Sequence, residues 1–376
     1  MAVPFIDIKR LENGFHQKWI EAVKNLSNNT AFIGGEVVLQ LENSLSNICG
    51  NTNVVTCANG TDAMQLALRA NDISTGDKVL IPDLTFWATF EAVVNVGALP
   101  ILVDCNLKDQ TLDIEKVTHA ITQIKPQAVL IVHLYGWAAK EIKTLRLICE
   151  KSGIPLIEDS AQAFYVKVDN QSIFKDAHCA TTSFYPAKVF GAAGDAGAVF
   201  CKDSELAEKI RLLTNHGRST HYGYQAIGWN SRIDALQAAY LTISLEYLQK
   251  RVESRLDFAK RYQKELAGIT GIKVASPPEN IISNGYCNVC FIDDLKIKTE
   301  LEARLKENQI GFANIYPSTM SEQPGAEPYM NPLSTNYCGD NAKWVCQHII
   351  NLPLFAYMRE DEFKEVIDTV KSAFQF

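Results

Sequence analysis

Hydrophobic and polar residues follow a repeating pattern along the first half of the chain, which predicts strands and helices in alternation. Segments with helical spacing, such as 61–70 and 140–152, separate short apolar runs that are rich in β-branched residues. These apolar runs lie at 53–57, 78–82, 100–104, 128–133 and 154–159. Alternating strands and helices indicate βα units, and uniformly apolar strands are typical of a parallel sheet covered on both faces.

The pattern changes near residue 250. Residues 234–249 are amphipathic and predict the start of a long connecting helix, and residues 251–266 predict a charged helix. The elements predicted after them are strands at 287–292 and 311–316, a helix at 299–309, a long loop at 317–340 and a closing helix at 360–374. We therefore predict a large domain at 1–250 and a smaller α+β domain at 251–376.

The composition of the 376 residues is that of an ordinary globular protein, with 47% hydrophobic and 21% charged residues. The formal net charge of -7 argues against nucleic-acid binding, which requires a basic face. The N-terminus has no apolar run like that of a signal peptide, and no segment reads as a membrane span. These observations predict a cytoplasmic protein that acts on small molecules.

The ten cysteines are scattered through apolar segments, which predicts buried, reduced thiols rather than disulfides. Cys287 and Cys290 form a CxxC pair, but no second pair or histidine stands at zinc spacing. We interpret this pair as part of a strand and predict no metal site.

Lys188 is the residue that most strongly suggests chemistry. It stands five positions after Ser183, between an aromatic run and a loop of glycines and alanines, and no carboxylate lies close to it in sequence. A lysine that attacks an aldehyde must be deprotonated, and an apolar or crowded pocket lowers the pKa of a lysine amine. A surface lysine at the end of a strand is the alternative, so the interpretation depends on other residues.

Three further features fit a cofactor that has an aldehyde, a phosphate and a pyridine ring. The turn at Gly60 and Thr61 opens a helix, where free amides attract phosphate, although a plain helix cap would look the same. Asp159 ends a strand and fits a partner for the pyridine nitrogen, although strand-end carboxylates also cap helices. Phe86 fits a side chain stacked on the ring, or a core aromatic. Ligands of parallel sheets bind at these strand ends.

Taken together, these motifs resemble the nucleotide-sugar aminotransferases of the DegT/DnrJ/EryC1/StrS family over nearly the whole chain. The matching motifs lie at 32–35, 58–63, 83–89, 132–136, 157–162, 183–188, 215–218 and 229–234. The resemblance implies a fold type I enzyme that depends on pyridoxal 5'-phosphate. Its large domain would have a mainly parallel seven-stranded sheet between helices, followed by a smaller C-terminal α+β domain.

The resemblance also implies roles for individual residues. Lys188 would bind the cofactor aldehyde and then carry a proton, with Asp159 on the pyridine nitrogen. The other cofactor residues would be Gly60, Thr61, Phe86, Gln162, Ser183 and, from the partner subunit of a homodimer, Asn230. The residues on the sugar side would be His133, Tyr185, Arg232 and Tyr316; a histidine at a strand end or a tyrosine before a proline also fits simple packing.

Two departures from the family pattern affect the substrate prediction. The phosphate turn is Asn59-Gly60-Thr61 rather than Ser-Gly-Thr, in a context that resembles the branch that aminates carbon 3 of the sugar. Ser321 stands where relatives often have a histidine. We predict transfer of an amine from L-glutamate to a UDP-linked 2-acetamido-3-keto sugar, which the pattern also allows to be a uronate. The alternatives are a dTDP-linked 3-keto or 4-keto deoxysugar, and a cofactor-binding regulatory protein without activity.

Overall fold

The strands of the protein form one large and two small sheets. The structure is a computed structural model that describes residues 2–50, 52–220 and 222–374. The strands in these ranges are β1 (Asn53–Cys57), β2 (Lys78–Pro82), β3 (Leu99–Val103), β4 (Ala128–Val132), β5 (Leu156–Asp159), β6 (Lys167–Val168), β7 (Gln171–Ser172), β8 (Cys179–Ser183), β9 (Gly197–Cys201), β10 (Ile272–Val274), β11 (Ile281–Ile282), β12 (Asn288–Ile292) and β13 (Ile349–Leu352).

The helices fill the intervals between most of these strands. They are α1 (Phe15–Asn28), α2 (Glu36–Ile48), α3 (Gly60–Ala70), α4 (Trp87–Asn95), α5 (Ile114–Ile124), α6 (Ile142–Lys151), α7 (Ser204–Thr214), α8 (Ala235–Leu245), α9 (Leu248–Leu266), α10 (Leu295–Glu307), α11 (Asp340–His348) and α12 (Glu360–Ala373). Short 3₁₀ helices lie at Met320–Glu322, Pro324–Tyr329 and Pro332–Asn336.

The large sheet has the strand order β1-β9-β8-β5-β4-β2-β3. The pairs along the run from β8 to β3 are parallel, whereas β9 is antiparallel to its neighbours β1 and β8. Its strands are buried at nearly every position, since helices such as α2, α3, α4 and α7 pack against it. The predicted α/β fold with a mainly parallel seven-stranded sheet is therefore confirmed.

The second half of the chain differs from the sequence prediction in three places. The predicted helix at 234–249 is two helices, because the chain turns at Glu246 and Tyr247, where Tyr247 packs beside Phe15 of α1. Residues 311–316 form only an isolated bridge, Ala313 to Asn351, because β13 takes the place beside β12. The predicted loop at 317–340 contains the three 3₁₀ helices.

The buried apolar side chains form two main clusters. The larger surrounds the seven-stranded sheet, and the smaller joins α9, α10 and α12 to the sheet of β10, β12 and β13. Val3 belongs to the smaller cluster, and its backbone bonds to Gln309 and Gly311. The N-terminal segment therefore packs with the C-terminal elements. The domain boundary at residue 250 stays a prediction.

Two further expectations concern the state of the cysteines and the absence of a membrane-spanning segment. The ten cysteines are free thiols, and nine of them are buried; Cys338 is the half-buried one. Cys290 lies within β12, and Cys287 immediately precedes that strand. In the described part of the chain, no helix has the length and apolar character needed to cross a membrane.

Candidate active site

Several of the functional residues predicted from the sequence lie at one edge of the large sheet. Because β1, β5 and β8 run in the same direction, the residues that end or follow them meet there. Ser183 ends β8, Asp159 ends β5, and the turn after β1 leads into α3. This is the edge at which parallel sheets bind ligands.

The turn into α3 is built to receive an anion. Asn59 caps the helix, since its side-chain oxygen accepts from the Asp62 amide at 2.8 Å and its carbonyl oxygen accepts from the Ala63 amide. The amides of Gly60 and Thr61 have no acceptor among the described residues. A Cβ on Gly60 would lie 2.6 Å from the Ser183 Cβ. Glycine therefore lets the Ser183 hydroxyl approach a helix N-terminus with two free donors.

Lys188 lies in the loop after β8, half-buried beside Tyr286. Its Nζ is 3.4 Å from the Tyr286 hydroxyl and 5.1 Å from the centre of that ring. Burial lowers the pKa of the Lys188 amine, against the opposing attraction of Asp159 and Cys287. A lysine with a lowered pKa supplies more of the neutral amine that attacks a carbonyl.

Asp159 is 5% exposed at the end of β5. Its Oδ1 accepts from the Ala161 amide at 2.9 Å. Burial raises the pKa of Asp159, while the Ala161 amide, Lys188 and His133 act in the opposite direction. A desolvated carboxylate of this kind is stabilised by a cationic N–H partner, such as a protonated pyridine nitrogen.

Gln162, Tyr316 and Phe86 form a connected group beside Asp159. The Gln162 side chain accepts from the Tyr135 amide at 2.6 Å and donates to the Tyr316 hydroxyl at 2.8 Å. The Phe86 ring centre lies 6.0 Å from that of Tyr316, and Phe86 is 58% exposed. An aromatic ring that is not buried in the core leaves a face free for a flat ligand.

His133 is placed differently from the other sugar-side candidates. It is fully buried, with Nε2 3.2 Å from the Glu158 carboxylate and Nδ1 accepting from the Ala139 amide at 3.3 Å. Arg146 binds the same carboxylate through two nitrogens, each at 2.8 Å. With both ring nitrogens occupied, His133 has no polar atom left for a sugar. Its placement favours a structural role.

Asn230 and Arg232 form a hydrogen-bonded group with Asn215. Arg232 donates to the Asn230 side chain at 2.5 Å and to the Asn215 side chain at 2.8 Å. Among the described residues of one protomer, neither of them contacts the Lys188 group. Tyr185 is 55% exposed, and its amide donates to the Ser183 hydroxyl at 3.2 Å, so it lies beside the anion turn.

Two residues of this site were missed by the sequence analysis. Tyr286 contacts Lys188, and the fully buried Asn284 positions it by accepting from the Tyr286 amide at 2.9 Å. The Asn284 side chain also donates to the carbonyl oxygens of Gln162 and Phe164. Both residues lie in a segment without regular structure, which offered only an Asn-Gly-Tyr triplet as a signal.

The profile of the DegT/DnrJ/EryC1/StrS aminotransferase family matches residues 15–371. The chain belongs to this family. It is a sugar aminotransferase that depends on pyridoxal phosphate, and the expectations of an enzyme and of this cofactor are both confirmed.

Three relatives span almost the whole chain. A UDP-N-acetyl-3-dehydro-alpha-D-glucosamine 3-aminotransferase of Acidithiobacillus ferrooxidans is 31% identical over 98% of this chain and 97% of its own. A UDP-2-acetamido-2-deoxy-3-oxo-D-glucuronate aminotransferase of Pseudomonas aeruginosa is 32% identical over 95% and 96%. A dTDP-3-amino-3,4,6-trideoxy-alpha-D-glucose transaminase of Streptomyces venezuelae is 31% identical over 98% and 95%.

Solved structures show the same fold. DesV of S. venezuelae is 30% identical, with a TM-score of 0.93 over 100% of this chain and 99% of its own. NtdA of Bacillus subtilis, solved with bound PMP, is 26% identical, with a TM-score of 0.90 over 99% and 85%. The residues of this chain suit the cofactor, because two free amides, a buried carboxylate and a lysine of lowered pKa face one strand edge.

Proposed function

We propose that the protein transfers an amine from L-glutamate to a UDP-linked 2-acetamido-3-keto sugar. The products would be 2-oxoglutarate and a 3-amino sugar destined for a surface polysaccharide or lipid A. The convergence of Lys188, Asp159 and the Gly60 turn at one strand edge supports the chemistry. The two UDP-sugar relatives, similar over nearly their whole length, support the substrate.

The cofactor would be held from three directions. Gly60, Thr61 and Ser183 would bind its phosphate, Asp159 its pyridine nitrogen and Lys188 its aldehyde carbon. Phe86 would stack on the ring, and Gln162 would lie beside it, held in place by its bonds to Tyr135 and Tyr316. These assignments use donors and faces that the structure leaves available.

Transamination requires a proton to leave one carbon and be added to another. Pyridoxal phosphate, when bound, supplies an electron-withdrawing ring that stabilises negative charge on the carbon beside it. Lys188 would take up and return the proton through Nζ, for which its lowered pKa is suited. Asp159 would keep the ring nitrogen protonated, and Tyr286 would orient the lysine through the 3.4 Å contact.

The sugar side would be formed by Tyr185, Tyr316 and Arg232. Tyr185 is exposed next to the anion turn, and Tyr316 adjoins Phe86. The planar guanidinium of Arg232 suits the two oxygens of a carboxylate or phosphate, which would include a uronate. We do not assign His133 to the sugar, because its ring nitrogens are occupied.

We also propose that the site is completed by a second copy of the chain. Large apolar side chains are exposed on the two segments that flank Asn230 and Arg232. These are Phe32, Ile33, Tyr222, Tyr224 and Ile227, whose exposed fractions range from 44% to 92%. Exposed apolar patches of this kind mark protein interfaces. A homodimer would cover them and bring Asn230 to the cofactor phosphate of the partner.

A dTDP-linked 3-keto or 4-keto deoxysugar is the second candidate substrate, because the dTDP-sugar relative is as similar as the UDP-sugar relatives. The deciding experiment offers the holoenzyme UDP- and dTDP-linked 3-keto and 4-keto sugars with L-glutamate. Mass spectrometry and NMR then identify the amino product. Formation of a dTDP-sugar amine alone would refute the leading proposal.

Borohydride reduction tests the lysine. We expect reduction of the wild-type holoenzyme to fix the cofactor covalently to the peptide that contains Lys188, as read by mass spectrometry. Lys188→Ala should carry no fixed cofactor, whereas Lys202→Ala, at an exposed lysine, should behave like the wild type. Cofactor fixed in Lys188→Ala would show that another lysine binds the aldehyde.

A further inference from the structure

A cavity of about 310 Å³ adjoins Lys188 on the side of the N-terminal segment. Four basic side chains lie on its wall, together with one acidic side chain, Asp7. The basic residues are Arg10, Lys188, Arg251 and Arg255. Its volume is at the lower end of the range for small-molecule pockets.

Two of the arginines already have carboxylate partners. Arg10 binds Asp7 at 2.8 Å and both oxygens of Glu362. Arg251 binds both oxygens of Glu12, at 2.9 and 2.6 Å. The charge of each is therefore compensated within the protein.

Among the described residues, Arg255 has no carboxylate partner. It is 6% exposed, and its Nη1 donates to the carbonyl oxygens of Leu354 at 3.1 Å and Gly285 at 3.4 Å. Its Nε is buried without a hydrogen-bond partner among the described residues. Burial lowers the pKa of the guanidinium to about 10, and no aspartate or glutamate in the described part of the chain offsets this. A buried cation without a counter-ion is costly, which favours binding of an anion beside it.

Arg255 and Lys188 share their surroundings. Tyr286 contacts Lys188, and the carbonyl oxygen of the adjacent Gly285 accepts a hydrogen bond from Arg255. The cofactor residues Gly60 and Ser183 and the sugar-side residues Tyr185 and Tyr316 do not line this cavity. The cavity is therefore lined by cationic side chains next to the reactive lysine, and it is separate from the proposed phosphate and sugar sites.

We propose that Arg255 binds a carboxylate of the amino donor in this cavity and so places the donor beside Lys188. The inference rests on the proposed function, since it requires an amino-acid donor. A guanidinium binds the two oxygens of a carboxylate through parallel hydrogen bonds, which suits a dicarboxylic amino acid such as glutamate. The carboxylate also supplies the counter-ion that Arg255 lacks.

The test measures binding of a dicarboxylate that cannot react. Glutarate is titrated into the holoenzyme by calorimetry, with glutaramide as the uncharged ligand control. Arg255→Gln removes one partner of the proposed buried charge pair, the other being a carboxylate of glutarate. We therefore expect Arg255→Gln to bind glutarate roughly 30-fold or more weakly than the wild type does. Arg255→Lys keeps the positive charge but loses the planar guanidinium that binds two oxygens at once, so we expect its glutarate binding to be on the order of tenfold weaker. Arg261→Gln, on the exposed side of the same helix, is the matched control and should bind as the wild type does.

The half-reactions provide a second measurement. The first half-reaction is followed as the loss of the cofactor's visible absorption band when L-glutamate is added. In Arg255→Lys, this reaction should slow far more than the second half-reaction, in which the aminated enzyme reacts with the keto-sugar. Unchanged glutarate binding in Arg255→Lys overturns the inference, even where Arg255→Gln does not fold. Glutarate binding that depends on Arg255, in a wild type that aminates no keto-sugar, would refute the proposed function and leave the carboxylate site standing.

Discussion

Gly60 is a position at which helix propensity and packing predict opposite effects of one substitution. Gly60→Ala places a better helix former in the first turn of α3, which by propensity alone gains up to about 1 kcal/mol. The new Cβ, however, would lie 2.6 Å from the Ser183 Cβ and 3.2 Å from its Cα. Ordinary contact begins at 3.4 Å, so the closest pair would be about 0.8 Å too close.

Packing should outweigh propensity, because both clashing atoms are fixed to regular backbone. Ser183 ends β8 in the middle of the sheet, and its Cβ is not the flexible end of a long side chain. Forced overpacking costs about 1–3 kcal/mol. We therefore expect Gly60→Ala to lower the free energy of unfolding of the cofactor-free protein and to weaken cofactor binding, since the phosphate donors move.

Urea unfolding of the cofactor-free protein measures the change in the free energy of unfolding that Gly60→Ala causes. In a Ser183→Gly background, the nearest remaining atom is the Cα at 3.2 Å, so Gly60→Ala should cost much less there. In a Ser183→Ala background, which keeps the Cβ, the full cost should remain. A gain of stability in Gly60→Ala, or an equal cost in the glycine and alanine backgrounds, would refute the packing argument.

Two buried carboxylates give further predictions. Glu158→Gln should cost about 3–5 kcal/mol of unfolding free energy at pH 7, because Arg146 would lose its buried partner. Burial alone would raise the pKa of Glu158, but Arg146 and His133 hold it below 4.5, so this loss should shrink as the pH falls below about 4.5. Ser321→Ala removes a 2.8 Å hydrogen bond to Asp83 and should cost about 1–3 kcal/mol. Burial raises the pKa of Asp83, and without the Ser321 hydroxyl this pKa should rise further, so the cost should grow as the pH rises through the raised pKa of Asp83. Urea titrations at several pH values measure each effect.

The sequence predicted the large sheet because its strands carry a strong local signal. Uniformly apolar runs such as 128–132 are buried on both faces, so the pattern alone identifies them. The last third of the chain lacked such a signal. The bridge at Ala313 and the strand β13 depend on which segment pairs with β12, and this choice is made by contacts distant in sequence.

The candidate site divides in the same way. Gly60 and Asp159 could be found because each stands at the end of a predictable element. His133 also follows a strand, but the sequence did not show that its ring would turn toward Glu158 and Arg146 rather than toward the ligand edge. A residue that directly follows a strand has no fixed side, because the alternation of faces ends with the strand.

Arg255 illustrates what a sequence pattern cannot show about charge. In the sequence it is one of several basic residues in a charged helix, which suggests a solvated side chain. In the structure, Arg251 and Arg261 of the same helix bind Glu12 and Glu360, whereas Arg255 is buried and its hydrogen bonds within the described ranges go to carbonyl oxygens. The partner of a charged side chain is set by the fold, so an unpaired buried charge is visible only after folding. Such a charge beside a reactive lysine is strong grounds for looking for an anionic ligand there.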